Sequence, residues 1–290
     1  MLWLIFTILA AVLWSLTNLL DSDLLERRRQ NPNVLTFVTG IFGSLPVLLI
    51  PLLGIPTPSQ DVVLAAILGG MIGLFVYWPY YQALERTHTA NVILLWNLAP
   101  VFVVFSAWLF IGEELAAKQY VALVLLVASS FLTSYQPSAS HRIPIKAAAW
   151  MFLASLTTAV EYTLLGYVFA RVPILVGMTW VSMGVLTATV GIPVCVPSVR
   201  SQVMKAVAST KLRERFAINE LLDLAANLLR QAAIRLGPVG LVSAVGGLQP
   251  LFVFLFSPFF KTKQSPPPRL ILVVATILGI VGLGLLAQNA

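Results

Sequence analysis

The sequence predicts an all-α integral membrane protein of ten transmembrane helices, arranged as two inverted five-helix repeats. Three observations predict it. Of the 290 residues, 59% are hydrophobic and only 10% charged, and the mean hydropathy is +0.91, a balance foreign to soluble domains. Ten apolar runs reach the roughly 20 residues needed to cross about 30 Å of hydrocarbon, and the short loops between them leave little mass for a soluble domain. Finally, one segment occurs twice at an offset of 150 residues: Asn97-Leu98-Ala99-Pro100-Val101-Phe102 returns as Gly247-Leu248-Gln249-Pro250-Leu251-Phe252. Two homologous membrane bundles facing each other form, in most known cases, a transporter with its site at the repeat interface.

In chain order the runs are 2–20, 34–53, 62–82, 90–111, 119–135, 147–170, 174–197, 217–236, 239–260 and 270–288. The first starts without basic residues and no small-residue cleavage site follows, so it reads as a spanning helix and not as a signal peptide. The third gathers Phe75, Tyr77, Trp78, Tyr80 and Tyr81 around Pro79. The fourth and ninth carry the duplicated Pro100 and Pro250, expected to kink their helices and not to touch a ligand. Gly69, Gly70 and Gly73, and likewise Gly279, Gly282 and Gly284, read as faces for close helix packing. Residues 136–146, with Pro137, Ser138, Ser140 and Pro144, form a linker between a first repeat over 1–135 and a second over 147–290. Cys195 is the single cysteine, so no disulfide forms within the chain.

Basic residues set the expected topology. Fourteen fall in the odd-numbered loops: Arg27, Arg28, Arg29, Arg86, Arg142, Lys146, Arg200, Lys205, Lys211, Arg213, Arg215, Lys261, Lys263 and Arg269. The opposite side holds Lys118, Arg171 and Arg235. By the positive-inside rule the odd loops are cytoplasmic and both termini extracytoplasmic, and a bacterial inner membrane fits best. The net charge of +7 therefore speaks of topology and not of nucleic acid, and the stretch 199–215 reads as a solvated loop beside anionic headgroups. Five helices per repeat make the halves enter the membrane in opposite directions, and Glu113 and Lys263, at equivalent positions, suit opposite sides. The first helices align at an offset near 144, which sets Trp14, Thr17 and Asn18 opposite Thr158, Glu161 and Tyr162.

In both halves Ala-Leu-like residues and a small-residue turn precede a helix centred on Leu-x-Pro-hydrophobic-Phe. The carrying segments are Gln82–Glu114, with Phe110-Ile111-Gly112-Glu113, and Ala232–Phe260, with Gly237-Pro238-Val239-Gly240. This pattern resembles the drug/metabolite transporter superfamily, in its EamA-type exporter branch. The motifs cover about a third of the chain and are nearly silent about substrate. Two departures stand out: Trp14 is followed by Ser15 where the family commonly has Trp-Gly, and the second Pro helix ends in Phe260-Lys261 and not Gly-Glu. The resemblance implies transport in the direction of efflux.

Polar residues inside spans are expensive and so mark function. In the eighth span Glu220, Asp223, Asn227, Arg230 and Gln231 fall on one arc of about 100°, which must face the interior. Glu220 is also placed to complement a helix dipole. Glu161, deep in the sixth span, has two open readings: structural partner of Arg230, or a carboxylate that titrates or anchors a substrate amine. Glu161, Asp223 and Glu220 are the proton-coupling candidates. Tyr77 and Tyr80 are the repeat equivalents of Asn227 and Arg230, so rings and hydroxyls in one half oppose charge and amide in the other. That pairing suits an ammonium or amino-acid-like molecule. Tyr81, Trp14, Asn18, Trp96 and Asn97 complete the candidate substrate-binding set; Trp78 and some of the tyrosines read equally as interfacial anchors.

Enzymatic motifs are missing: no His-Glu-x-x-His, no Gly-x-Ser-x-Gly and no phosphate-binding Gly-rich loop. His88 and His141 fall in or beside loops, and Asp21 and Asp23, beside Glu26 and three arginines, read as a solvated turn. No cofactor and no metal are expected. The expected partners are a small-molecule substrate, the lipid bilayer and protons as coupling ion, with the site near mid-membrane between helices three, eight, one and six. A membrane enzyme or lipid-handling subunit built on the same fold is the alternative from another class.

Overall fold

A computed structural model describes residues 1–22, 31–87, 89–134, 143–195, 200–201, 210–260 and 268–288. Among these, every regular element is helical. The helices are α1 (Leu2–Ser22), α2 (Pro32–Gly43), α3 (Leu49–Leu53), α4 (Gln60–Leu84), α5 (Thr89–Trp96), α6 (Ala99–Ile111), α7 (Ala117–Ser134), α8 (Ile145–Arg171), α9 (Ile174–Cys195), α10 (Thr210–Leu236), α11 (Val239–Gly246), α12 (Gln249–Phe256) and α13 (Arg269–Ala287). Among the described residues nine stretches are long and apolar enough to span a membrane. The tenth expected span is α10, whose charges keep it outside that apolar class although its 27 residues suffice in length. Expectations about Asp23, Glu26, Arg27, Arg28, Arg29, His88, Pro137, Ser138, Ser140, His141, Arg142, Lys205, Lys261 and Lys263 lie outside the described residues.

Boundaries differ from expectation where local chemistry intervenes. The second span is divided: Gly43 ends α2, a 3-10 turn with Pro46 follows at Leu45–Leu48, and α3 then ends on Gly54 at φ +61. The fourth and ninth spans do not kink but break, at Asn97-Leu98 and at Gly247-Leu248. Pro100 and Pro250 sit in the first turn of the second half-helix, where a missing N–H costs nothing. The two breaks are 150 residues apart, as are the starts of α5 and α11, of α6 and α12, and of α4 and α10. Helix α10 begins seven residues before the expected 217, so Lys211, Arg213 and Arg215 belong to its first turns and not to a loop. Helix α8 begins at Ile145, inside the expected linker.

The packing repeats as the sequence does. Helix α4 lies along α8 as α10 lies along α1, and α6 meets α8 as α12 meets α1, while α7 and α13 pair with each other. Gly70 makes the α4–α9 approach possible: a Cβ there would collide with the Val181 carbonyl, and one on Gly184 with that of Ile67. Gly279 and Gly282 press on Ser129, Leu126 and Ala122 of α7, whereas Gly284 has open space around it and belongs to no packing face.

Two apolar clusters pack toward the ends of the bundle. One, including Trp3, Leu4, Ala66, Val103, Leu165 and Val242, lies toward the end that carries the N-terminus. The other, including Val34, Leu35, Leu84, Met151 and Phe216, lies toward the end where α4 stops and α8 starts. At the terminal end the halves are also joined by a polar clamp. Gly112, at φ +68, turns the chain after α6 so that the Glu113 carboxylate accepts the Val239 N–H at 2.6 Å and the Gly240 N–H at 2.8 Å. Both amides are orphan donors of the first turn of α11, and an anion there opposes the helix dipole favourably.

Burial raises the Glu113 pKa above its ordinary 4.5, with the two N–H donors pulling the other way. A raised folded-state pKa gives a contribution to stability that is full below 4.5 and is lost as pH rises through the raised value. We predict that Glu113→Gln, neutral at every pH, removes that part of the slope of Tm against pH in detergent. An unchanged slope would show that the carboxylate is solvated.

Candidate functional site

Between the two apolar clusters lies a cavity of about 160 Å³, lined from α1, α4, α8 and α10 and by the two helix breaks. Thr39 and Gly43 of α2 and Val181, Ser182 and Val185 of α9 line it too, which the expected four-helix setting did not include. Its walls are polar because α10 turns its polar arc inward while Ile218 and Leu221 face out. Asp223 is held by donors from three helices: Trp14 Nε1 at 3.1 Å, Tyr77 OH at 2.9 Å to each oxygen, and Asn227 Nδ2 at 2.9 Å. Asn227 Nδ2 also donates to the Tyr77 hydroxyl at 3.0 Å, so these two repeat equivalents touch each other. The Asn227 carbonyl oxygen accepts from Arg230 Nη2 at 2.9 Å, and the same nitrogen donates to Glu161 Oε1 at 2.6 Å. The guanidinium carbon of Arg230 stands 4.9 Å from the Tyr162 ring centroid and 5.7 Å from that of Trp14. Trp14, Asp223, Tyr77, Asn227, Arg230 and Glu161 thus form one connected network.

A second network lies one to three helical turns away. Tyr80 OH donates to Asn18 Oδ1 at 2.5 Å and lies 3.4 Å from Asp21 Oδ2, while Asn219 Nδ2 donates to Asp21 Oδ1 at 3.0 Å and to Glu220 Oε1 at 3.4 Å. Asp21 is therefore not in a solvated turn. It is 4% exposed and lines the cavity, because α10 crosses the end of α1 and supplies the amide that receives it.

Of the residues singled out from sequence, Trp14, Asn18, Tyr77, Tyr80, Trp96, Asn97, Glu161, Asp223, Asn227 and Arg230 line this cavity. Two do not. Tyr81 is 1% exposed and packs in the apolar cluster beside Tyr80, their centroids 5.0 Å apart. Neighbours on a helix point about 100° apart, so only one of the pair turns to the cavity. Glu220, also 1% exposed, is buried outside the lining and accepts from Asn219 Nδ2 at 3.4 Å. Trp78 is no cavity residue either: its indole donates to Asn33 Oδ1 at 2.9 Å and its ring meets Trp150 edge-on at 5.0 Å.

Asn97 lines the cavity but its amide is engaged elsewhere, donating to Ser134 Oγ at 3.1 Å and accepting from Ser130 Oγ at 2.8 Å. Ser130 also reaches the Gly247 carbonyl, and Ser15 the Gln249 carbonyl at 3.2 Å. These hydroxyls serve the backbone where helices break in a medium without water. Pro100 and Pro250, expected away from any ligand, line the cavity too. Sequence reasoning passed over Asp21, Tyr162, Thr17 and Gln231 as site residues. For Gln231 the signal was present, since it lies on the same arc as Arg230; for Asp21 the neighbouring charges concealed it.

Buried ion pairs are costly to break from one side, on the order of 3–5 kcal/mol, because the survivor stays buried and unpaired. We predict losses of that order for Arg230→Gln and for Glu161→Gln, with the double variant recovering a large part. Denaturant unfolding in detergent measures this, and additive losses would show that the two charges are independent.

Residues 1–135 match the model of the EamA-like transporter family. Twenty-nine chains of solved structures match in fold. One of them, a crystal structure, aligns with TM-score 0.71 over 99% of this chain and 96% of its own at 18% identity, a likeness of fold alone. No curated protein matches the sequence.

Proposed function

We propose that this chain, whose residues 1–135 belong to the EamA-like transporter family, is a secondary transporter that exports a small, amino-acid-like organic metabolite by alternating access. Its repeats comprise residues 1–135 and 147–290 with 136–146 as linker, and rock about the cavity between them. The protein resides in the inner membrane of a bacterium with both termini extracytoplasmic. The observation that carries the reading is the mid-bundle cavity with Arg230 and Glu161 in its wall, enclosed by symmetry-related helices and flanked by apolar clusters.

Closure at the terminal end supports the cycle. The Glu113 clamp, Trp3 packed against Gly237, and the Tyr167 hydroxyl donating to Asp61 at 2.7 Å all join elements at that end. A substrate arriving from the cytoplasm would meet a carrier sealed on the far side. Opening requires these contacts to exchange for equivalent ones at the other end.

A second reading, proton-coupled efflux of an organic cation, is favoured by one specific imbalance. Four buried carboxylates, Asp21, Glu161, Glu220 and Asp223, accompany one buried guanidinium among the described residues. Isolated charges of one sign are costly in a dry interior, so protons or a cationic substrate would relieve them.

Cells producing the intact chain should raise the extracellular level of particular metabolites, and cells producing Arg230→Ala or Glu161→Gln at equal membrane abundance should lose at least tenfold of that excess, the usual scale for removing one charged contact. Untargeted profiling of the medium measures it. Equal export by all three would place both charges outside the transport cycle; accumulation of amines alone would favour the cation reading.

A further inference from the structure

The helix contact that closes the terminal end has a counterpart at the other end that is much looser. Helix α4 packs on α9 far more closely than α10 packs on α2, and α6 on α11 far more closely than α5 on α12. Glycines permit the tight pair: a Cβ on Gly70 would collide with the Val181 carbonyl, and one on Gly184 with that of Ile67. The 150-residue offset carries Gly69, Gly70 and Gly73 of α4 to Asn219, Glu220 and Asp223 of α10. An offset of 144 carries Leu165, Val181 and Gly184 to Asp21, Phe37 and Gly40. The packing respects both offsets, since Gly69 lies against Leu165 as Asn219 lies against Asp21. Gly40, however, has Thr189 and Leu74 against it and not α10.

Where the tight pair has glycine, its counterpart therefore has acids. Alternating access requires α10 to close on α2 as α4 is closed on α9. That movement carries the Glu220 side chain to the α2 backbone around Phe37, as Gly70 is carried to the Val181 carbonyl. A backbone carbonyl is only an acceptor and so is a carboxylate, whereas a carboxylic acid donates to the carbonyl. Among the described residues no ion pair reaches Glu220 or Asp21, and Arg230 is committed to Glu161 of α8. Around Glu220 stand Asp21 of α1, Asp223 of α10, Tyr81 of α4 with Tyr80 beside it, and the Thr39 hydroxyl of α2.

The amide of Asn219 points to the same chemistry. The residue is 2% exposed, its Nδ2 serves Asp21 Oδ1 at 3.0 Å and Glu220 Oε1 at 3.4 Å, and its Oδ1 has no partner. Turned end for end, the amide presents Oδ1 at those same places, where a protonated carboxyl supplies the donor it lacks. A metal ion fits poorly: the amide aims N–H at both carboxylates, and no three metal ligands converge among the described residues. We propose that Asp21 and Glu220, bridged by Asn219, take up one proton as α10 closes on α2, so that the gate at the end opposite the termini shuts only when the pair is protonated. The proton comes from the water at that end. Its O–H is received by Asn219 Oδ1 while the gate is open and by the α2 carbonyl once it is shut. The device rests on the transporter reading above and gives its coupling proton a place.

The gate can be read without a substrate. In the full chain with Cys195→Ser, the substitution Ser182→Cys sets one thiol in the cavity wall, and a membrane-impermeant maleimide is added to inside-out vesicles. Labelling is normalised to a free thiol, which removes the reagent's own pH dependence. It should slow about tenfold or more between about pH 8 and about pH 6, since an equilibrium linked to one proton shifts up to tenfold per pH unit. Glu220→Gln and Glu220→Gly, both uncharged, should label slowly at either pH, while Glu220→Asp should keep the dependence. Glycine is what the other half carries at that position, so the second variant guards against a fault in folding, and the pH series of the intact chain needs no variant. A normalised rate that ignores pH, or Glu220→Gln labelled as fast as the intact chain at the higher pH, overturns the proposal. So does slowing by sodium chloride relative to choline chloride at fixed pH, which would give the pair to a metal ion. Export is profiled separately: a chain that exports with a gate indifferent to pH loses this device and keeps the transporter function. A proton-driven gate in a chain that exports nothing keeps the device and loses that function.

Discussion

The structure depends on one constraint: the polar arc of α10 has no place against hydrocarbon. Asn219, Glu220, Asp223, Arg230 and Gln231 are all buried, and a helix that carries them can only stand at the centre of the bundle. Every neighbour then follows. Helix α1 brings Trp14, Asn18 and Asp21, α4 brings Tyr77 and Tyr80, and α8 brings Glu161, each answering a group on α10 or its immediate partner. The polar residues that would exclude this helix from a lipid-facing position are the same ones that build the site.

The second device is the interrupted helix. Pro100 and Pro250 start new half-helices in the middle of the membrane-spanning region, at equivalent points of the two halves. The second break leaves the Gly247 carbonyl between two half-helices, where Ser130 reaches it, and Ser15 adds a side-chain donor to the Gln249 carbonyl in the first turn of α12. Irregular backbone at this depth is tolerated only where protein or a cavity surrounds it, and both conditions hold here.

The polarity of the two ends follows from small differences between the halves. Glu113 ties α6 to the first turn of α11, whereas the sequence has a lysine, Lys263, and not a carboxylate at the equivalent repeat position. A duplicated chain has become asymmetric at its ends while remaining nearly symmetric at its centre, where Tyr77 and Asn227 still meet across the repeat interface.

The sequence by itself determined the helical membrane fold, the twofold internal repetition and the inward face of α10. These are properties of composition and periodicity, which act along one helix at a time. It also exposed most of the cavity wall, because a charge or amide inside an apolar run stands out wherever it is. Tertiary structure alone decided the rest. Whether Asp21 is solvated depends on Asn219, which is 198 residues distant and approaches only when α10 crosses the end of α1. Whether Tyr80 or Tyr81 faces the cavity depends on the rotation of α4, which is set by Gly70 against the backbone of α9. That Glu161 pairs with Arg230 depends on distances of a few ångströms between helices. Hydrogen bonding is short-ranged and directional, so its pattern is written only once the helices are in place.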